Sequence, residues 1–223
     1  MPSDRLVIAI DGPSGSGKSS TSREVARRLG LGYLDTGAMY RAVAVAFLAA
    51  GVAPTHTARV IEATRSAEIE LSLDPDERWV RVNGADVTDA IREPRTSAHV
   101  STVARIPECR ADLVARQRAL MDADPRGVVA EGRDITTVVY PDADVRILLT
   151  ASEEARLARR GGELGARVSD AELRDQVIRR DADDSKLVEF RTAADGVHLL
   201  DTSDLSFDQV VEAILDLTKE TTA

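Results

Sequence analysis

The chain has little of several residue types on which specialised proteins depend. Its 223 residues include one cysteine, Cys109, and three histidines far apart in sequence, so neither an internal disulfide nor a Cys/His zinc site is expected. Aromatic residues make up only 3%, which predicts an aliphatic core. No apolar run approaches the roughly 18 residues of a membrane helix, and the N-terminus lacks a signal-peptide pattern. These absences predict a soluble protein in a reducing, cytoplasmic setting, with no membrane partner.

Lysine is also scarce: the 29 basic residues, which are outnumbered by 38 acidic ones, are almost all arginine. The formal net charge is −9, which argues against nucleic acid as a partner because binding a polyanion needs a basic face. Lys18, Lys186 and Lys219 are the only lysines. The arginines reflect a compositional bias or, where they cluster, serve as planar forks for phosphate groups.

Short aliphatic runs alternate with helical patterns along the chain. This order predicts one α/β domain with a parallel sheet covered on both faces. Between about 68 and 90 the pattern changes to strict alternation, and Asn83-Gly84 predicts a hairpin in a small inserted antiparallel sheet. The expected strands are 6–10, 32–34, 127–134, 143–150 and 197–203. The expected helices are 19–29, 39–50, 57–66, 97–104, 107–122, 170–181 and 207–217. A further helix is expected to start at a Ser152 cap and to end near Gly161-Gly162, where the two glycines predict a hinge or loop.

The stretch GPSGSGKS at 12–19 fits the pattern G-x-x-x-x-G-K-[ST], with a buried strand before it and a helix after it. In such a loop, glycines let backbone N–H groups converge on phosphates, the lysine reaches the outer phosphates and the serine hydroxyl holds Mg²⁺. Lys18 and Ser19 take these two roles. The predicted ATP-binding residues are Gly12, Pro13, Ser14, Gly15, Ser16, Gly17, Lys18, Ser19 and Ser20.

The motif does not say what happens to the nucleotide. No guanine-reading NKxD stretch is present, which disfavours a GTPase switch, and the chain is short for a motor. Phosphoryl transfer to an acceptor is favoured, because positioning and charge neutralisation supply most of its catalysis. A different small acceptor and a nucleotide-binding regulator without transfer activity are the alternatives.

Two further stretches place polar residues where strands end. In LDTGAMYR (34–41), Tyr40 and Arg41 offer a ring and a phosphate fork, and Asp35 is either a helix cap or a catalytic group. In EGRDITTVVYPDA (131–143), Arg133 and Asp134 follow a buried strand. Burying that pair only for mutual contact would stabilise the fold little, so both are expected to contact ligand.

Together these segments resemble bacterial-type cytidylate kinases over essentially the whole chain. The resemblance rests on IAIDGPSGSGKS, LDTGAMYR, VNGADVTDAIR, EGRDITTVVYPDADVRILLTAS and LLDTSDLSFDQVV. It implies a P-loop NTPase three-layer fold in one kinase domain, 1–223, with an inserted nucleoside-monophosphate-binding subdomain (63–98) and a short helical lid (155–175). The implied reaction is ATP + CMP (or dCMP) ⇌ ADP + CDP (or dCDP), with Mg²⁺, and nothing in the sequence requires more than a monomer.

The resemblance also implies roles for single residues. Thr36, Tyr40 and Arg41 would contact the acceptor nucleotide, Ser101 and Arg110 its cytosine edge and phosphate region, Arg133 its phosphate, Asp134 its base and Asp184 its ribose. The implied catalytic set is Lys18, Arg133, Arg156, Arg159, Arg160 and Arg180, with Arg180 also on the acceptor side. Asp11 and Asp35 are structural or organise water around Mg²⁺.

The sequence departs from the family pattern after Asp184, where an arginine followed by an AVAPL-like stretch is usual. Here the chain reads DDSKLVEFRTAADG (183–196). Lys186 or Arg191 stands in for that arginine, although a lysine offers no fork. Arg167 and Arg174 are lid residues or lie on solvated helix faces.

Overall fold

Five parallel strands form the central sheet of the protein. A computed structural model describes residues 5–164 and 192–222. The strands are β1 (Leu6–Asp11), β2 (Gly32–Asp35), β6 (Gly127–Gly132), β7 (Val145–Thr150) and β8 (His198–Asp201), in the spatial order β2-β6-β1-β7-β8. Ile8 of the central strand β1 lies between Val129 of β6 and Val145 of β7. The predicted parallel sheet is confirmed.

Helices cover both faces of this sheet, since its buried strands carry apolar side chains on both sides. The helices of the described residues are α1 (Lys18–Leu29), α2 (Thr36–Ala49), α3 (Thr57–Ser66), α4 (Pro94–Ser97), α5 (Val100–Arg105), α6 (Pro107–Ala123), α7 (Glu153–Leu164) and α8 (Phe207–Thr222). Val7 and Ala9 of β1 face a core shared with α2, α3, α5 and α6, whereas Ile8 and Ile10 face a core shared with α1 and α8. The three-layer architecture is therefore as predicted.

A small antiparallel sheet lies between α3 and α4. It consists of β3 (Ile69–Leu71), β4 (Val80–Val82) and β5 (Ala85–Asp86), followed by a 3₁₀ turn at Ala90–Arg92. Asn83 (φ 50°) and Gly84 (φ 76°) are both left-handed, as a two-residue hairpin requires. This confirms the predicted inserted sheet, and its apolar side packs on Ala38 and Ala42 of α2.

Several helix boundaries differ from those predicted. The helix predicted over 97–104 is two helices, α4 and α5, and α8 continues past the predicted end at 217 to Thr222. Helix α2 begins at Thr36 because the Asp35 carboxylate accepts a hydrogen bond from the Ala38 N–H at 2.9 Å and caps the helix there. The predicted break at Gly161-Gly162 is wrong, since α7 continues through both glycines to Leu164. A glycine costs a helix about 1 kcal/mol relative to alanine but removes no backbone hydrogen bond. The predicted Ser152 cap is confirmed by its hydroxyl, which accepts from the Ala155 N–H at 3.2 Å.

Some predictions lie outside the described residues. These are the helix at 170–181 and the roles of Arg167, Arg174, Arg180, Asp184, Lys186 and Arg191. Arg160 falls within α7, but its side chain also lies outside what the structure describes. Among residues 5–164 and 192–222, no helix has the length and apolar character needed to cross a membrane.

Candidate active site

A cavity of about 690 Å³ lies at the carboxyl edge of the central sheet. There the chain leaves β1, β2 and β6 and enters polar segments. One wall is the glycine-rich loop with the first turn of α1. The other is built from α2, α5, α6, the segment after β6 and residues that flank the small sheet, namely Arg78 and the 3₁₀ turn at Ala90–Arg92. The predicted site residues that line it are Ser14, Gly15, Gly17, Lys18, Ser19, Ser20, Thr36, Tyr40, Arg41, Arg110, Arg133 and Asp134.

The glycine-rich loop needs its glycines for two physical reasons. Gly15 (φ 78°) and Gly17 (φ 89°) are left-handed, a conformation that residues with a Cβ rarely adopt. A Cβ on Gly12 would lie 2.4 Å from the Leu149 carbonyl oxygen, and one on Gly15 would lie 2.7 Å from the Arg156 carbonyl oxygen. The loop is therefore wedged between β7 and α7, with Gly12, Pro13 and the buried Ser16 behind the cavity wall.

Three arginines that the sequence predicts to act on phosphate donate hydrogen bonds to carbonyl oxygens of this loop. Arg133 donates to Gly12, Arg156 to Ser14 at 3.1 Å and Arg159 to Ser16 at 3.4 Å. In a trans peptide, the C=O and the next residue's N–H point in opposite directions. Guanidinium groups that hold the Ser14 and Ser16 carbonyls on one side therefore direct the Gly15 and Gly17 N–H groups to the other, whereas the Gly12 carbonyl precedes Pro13, which has no N–H. Their predicted contacts with transferring phosphate stay predictions.

Lys18 faces the buried carboxylate of Glu131, a residue that was not among the predicted site residues. Its Nζ lies 3.9 Å from Glu131 Oε2 and donates to the Pro13 carbonyl at 3.4 Å. Glu131 is 3% exposed, and its other oxygen accepts from the Tyr33 hydroxyl at 3.0 Å. Burial and then the Glu131 charge raise the pKa of Tyr33 well above its ordinary value, so this hydroxyl stays protonated. Glu131 is the first residue of the EGRD stretch quoted above, and its place in this charged stretch is the sequence signal that could have identified it.

Two aspartates at strand ends have structural partners. Asp11 accepts from the Ile135 and Thr136 N–H groups, both at 2.8 Å, and from the Thr136 hydroxyl at 2.7 Å. Burial raises the pKa of Asp11 to about 6 despite these hydrogen bonds. Asp35 caps α2 and accepts from Arg41 at 2.7 Å. Burial alone would raise the pKa of Asp35, but the Arg41 charge and the Ala38 N–H outweigh it, and the pKa lies below its ordinary value.

The wall opposite the glycine-rich loop, which is predicted to meet the acceptor and is called the acceptor wall below, contains a partly buried ion pair between Arg110 of α6 and Asp134. Burial raises the pKa of Asp134, and the Arg110 charge opposes that shift. Tyr40 lies close enough for burial and then the Asp134 charge to raise the pKa of its hydroxyl. The pair places a carboxylate and a guanidinium side by side in the cavity wall, where a polar ligand edge can meet both.

Thr36 and Ser101 are placed differently from each other. The Thr36 hydroxyl donates to the Glu131 carbonyl at 2.7 Å, yet the residue lines the cavity. Ser101 is half-buried in α5 and is not among the described residues that line the cavity, whereas Val100 and Ala104 of the same helix are. Two arginines that were not among the predicted site residues, Arg78 and Arg92, also line the cavity, next to the small sheet. Arg92 is the last residue of the VNGADVTDAIR segment quoted above, so the sequence pointed to the segment but not to the place of Arg92 in the cavity wall.

Comparison with known proteins agrees with this geometry. The family model described as cytidylate kinase matches residues 8–220. A cytidylate kinase of Cutibacterium acnes is 51% identical over 218 residues, which cover 97% of each chain. A cytidylate kinase of Streptomyces avermitilis is 45% identical over 218 residues, 96% of this chain and 93% of that one.

A solved structure supports the fold alone. The crystal structure of an uncharacterized protein from Eubacterium ventriosum superposes with a TM-score of 0.51 at 10% identity, covering 95% of this chain and 97% of that one. The family evidence is carried by the sequence relatives and the full-length match. The resemblance first seen in the motifs is confirmed: the chain belongs to the cytidylate kinase family.

Proposed function

We propose that this kinase transfers the γ-phosphoryl group of ATP to CMP or dCMP, giving ADP and CDP or dCDP. The observation that carries the proposal is a single cavity with a phosphate-binding loop on one wall and the Arg110–Asp134 pair, Tyr40 and Arg41 on the other. Donor and acceptor phosphates can therefore meet at the carboxyl edge of one sheet. Membership of the cytidylate kinase family supports the same substrates.

Charge neutralisation is the main chemical task of such a site. Lys18 and Arg133 line the cavity at the end of β1 and β6, where the transferring group would lie. Cations there stabilise the charge that spreads over the phosphoryl oxygens and contribute up to several orders of magnitude in rate. The acceptor phosphate is already an anionic nucleophile, so the site needs no general base. Arg156, Arg159, Arg160 and Arg180 complete the proposed catalytic set.

Selection of cytosine is assigned to Asp134 with Arg110. The exocyclic amine of cytosine donates a hydrogen bond, which a carboxylate accepts, whereas uracil presents an oxygen at that position. A buried acceptor left unpaired by the wrong base costs about 1–3 kcal/mol, which corresponds to about tenfold or more in specificity. Thr36, Tyr40, Arg41, Ser101 and Asp184 are proposed to hold the rest of the nucleotide.

The loop fits Mg²⁺ bound together with a nucleotide. Among residues 5–164 and 192–222, no three acidic, histidine or cysteine side chains are grouped to hold a metal by themselves. Ser19 is exposed in the first turn of α1 and lines the cavity. Mg²⁺ commonly takes one or two protein ligands and completes its shell with water and substrate phosphates, so Ser19 would hold it there. When bound, the ion neutralises charge on the donor phosphates. The nucleotides are the proposed partners, and the monomeric state and cytoplasmic location stay predictions.

The proposal is tested by measuring ADP release with CMP, dCMP, UMP, AMP, dTMP and shikimate as acceptors. We expect turnover with CMP or dCMP to exceed that with every other acceptor by about tenfold or more. Lys18→Ala should reduce turnover by at least about 100-fold because it removes a cation from the donor phosphates. Lys219→Ala is the matched control, since Lys219 is exposed in α8 and pairs with Asp216.

Two outcomes would contradict the proposal. Preference for UMP or AMP would exclude cytidine nucleotides as the natural acceptors. ATP binding without turnover on any acceptor would favour a nucleotide-binding regulator.

A further inference from the structure

Thr202 follows β8 and contacts the glycine-rich loop from behind, opposite the cavity. It belongs to the LLDTSDLS segment, for which neither the motifs nor the proposed mechanism supplies a role. The residue is fully buried, and its backbone N–H donates to the Thr150 carbonyl at 2.8 Å, which fixes its position at the end of the sheet. A buried polar side chain in this place needs hydrogen-bond partners.

Its hydroxyl has three such partners. Oγ1 accepts from Arg159 Nη1 at 2.9 Å and lies 3.2 Å from the Ser16 carbonyl oxygen and 3.0 Å from that of Thr150. A hydroxyl has one hydrogen, so the two carbonyls share it. The Thr202 carbonyl also accepts from Arg159 Nη2. Thr202 therefore joins the loop, the end of β7 and the middle of α7.

The Ser16 carbonyl is held from two sides, by the Thr202 hydroxyl and by Arg159 at 3.4 Å. This carbonyl belongs to the same peptide unit as the Gly17 N–H, and no peptide bond of the described chain is cis. A trans unit directs its N–H away from its C=O, and Gly17 lines the cavity. Fixing the Ser16 carbonyl therefore fixes the direction of the Gly17 N–H.

We propose that Thr202 is a positioning residue for the donor nucleotide. It holds the Ser16–Gly17 peptide, directly and through Arg159, with the Gly17 N–H directed to the phosphates. Without the hydroxyl, the peptide must be ordered when ATP binds, and this ordering weakens ATP binding. The acceptor wall makes no contact with Thr202 among the described hydrogen bonds, so CMP binding is unaffected. The inference rests on the proposed function in naming ATP as donor and CMP as acceptor.

The test is a calorimetric titration of ATP with Mg²⁺, and separately of CMP, into the wild type and three variants. Thr202→Val keeps the side-chain shape and removes the hydroxyl, Thr202→Ser restores the hydroxyl, and Ser203→Ala is the matched control. Ser203 is the next residue after Thr202, and its hydroxyl accepts from the Ser152 N–H at 2.8 Å, outside the glycine-rich loop. T202V should raise the Kd for ATP about tenfold. T202S and S203A should leave it within about twofold, and the Kd for CMP should stay within about twofold in all three.

A second measurement separates positioning from a general loss of stability. Arg159→Met removes the other holder of the Ser16 carbonyl, so combining it with T202V should weaken ATP binding less than the product of the two single effects. If T202V is not recovered folded, as judged by circular dichroism, Thr202→Ala replaces it in the same titrations.

The inference is overturned if T202V binds ATP as the wild type does, if ATP and CMP weaken equally, or if S203A reproduces the effect. A lowered melting temperature with both Kd values unchanged also overturns it. Wild-type turnover of CMP, measured in parallel, tests the proposed function independently, because the titrations report binding without requiring turnover.

Discussion

At the scale of single residues, most charged side chains of the site pair with one another or with the backbone. Asp134 pairs with Arg110, Asp35 with Arg41 and Lys18 with Glu131. A buried charge without a partner is strongly unfavourable, so each pairing reduces the cost of burying these groups. Ligand groups that bind here must therefore compete with, or add to, partners already in place.

Asp134→Asn tests the assignment of base recognition. The amide keeps the size of the side chain but loses the negative charge and one acceptor oxygen, so KM for CMP should rise about tenfold and the preference for CMP over UMP should fall by a similar factor. KM for ATP should stay within about twofold, because Asp134 lies on the acceptor wall. Initial rates with CMP and UMP as acceptors measure both quantities.

Asp142→Asn is the matched control for this variant. Asp142 is exposed and follows Asp134 in the same segment, and its replacement changes the same charge without reaching the cavity. If D134N keeps the wild-type ratio of CMP to UMP turnover, Asp134 does not select the base.

At the scale of elements, β6 delivers Glu131 and Gly132 to the site, with Arg133 and Asp134 immediately after it. Its first residue, Gly127, is left-handed at φ 92°, and a Cβ there would lie 2.1 Å from the Leu6 carbonyl oxygen. This contact joins the starts of β6 and β1, which pair in register from Leu6 and Gly127 onward. The position of the site residues thus depends on a glycine at the opposite end of the strand.

Gly127→Ala should lower the free energy of unfolding by more than about 3 kcal/mol, since strain and a backbone clash combine. Gly51→Ala is the control, because Gly51 is also left-handed (φ 66°) but has no atom within 4 Å of the position that a Cβ would take. It should cost about 1–2 kcal/mol. Urea denaturation measures both values, and equal losses would show that the close approach to β1 contributes nothing.

Much of this element-level structure could be predicted because it depends on local pattern. Aliphatic runs marked the strands, Asn83-Gly84 marked the hairpin and the glycine-rich motif marked the donor site. The spatial order of the strands could not be predicted in the same way, since it depends on contacts between distant segments. The helix through Gly161-Gly162 was missed because a local preference against helix was weaker than the surrounding helical context.

The partners of arginine were the least predictable part of the site. The sequence predicts that Arg156 and Arg159 lie in one helix, but not that their guanidinium groups bond to the carbonyls of Ser14 and Ser16. Every residue has a backbone carbonyl, so the sequence does not indicate which carbonyl an arginine will bind. The same limit applies to Glu131, whose contact with Lys18 depends on β1 and β6 being neighbours.

At the scale of the whole molecule, the charge of the cavity is opposite to that of the chain. The formal net charge is −9, yet the cavity is lined by six basic and three acidic residues. The basic residues are Lys18, Arg41, Arg78, Arg92, Arg110 and Arg133, and the acidic ones are Asp35, Glu131 and Asp134. A cleft of this kind attracts anions locally while the remaining surface repels them.

Salt should therefore weaken substrate binding. Raising KCl from about 20 mM to about 300 mM shortens the Debye length from roughly 20 Å to roughly 6 Å, and KM for CMP should rise about threefold or more. kcat at saturating substrate should change less than about twofold, since charges in contact inside the cavity are screened little. Initial-rate measurements across this series check both values, and a KM for CMP that does not depend on salt would exclude the electrostatic attraction.

The contact between Thr202 and Ser16 also bears on how the protein comes to be folded. The two residues are 186 positions apart, and β8 joins the edge of the sheet only through β7. During synthesis, the glycine-rich loop leaves the ribosome long before the residue that supports it. A nascent chain that ends before Thr202 lacks this support, so ATP stabilises the fold through the completed loop most strongly once almost the whole domain has been made.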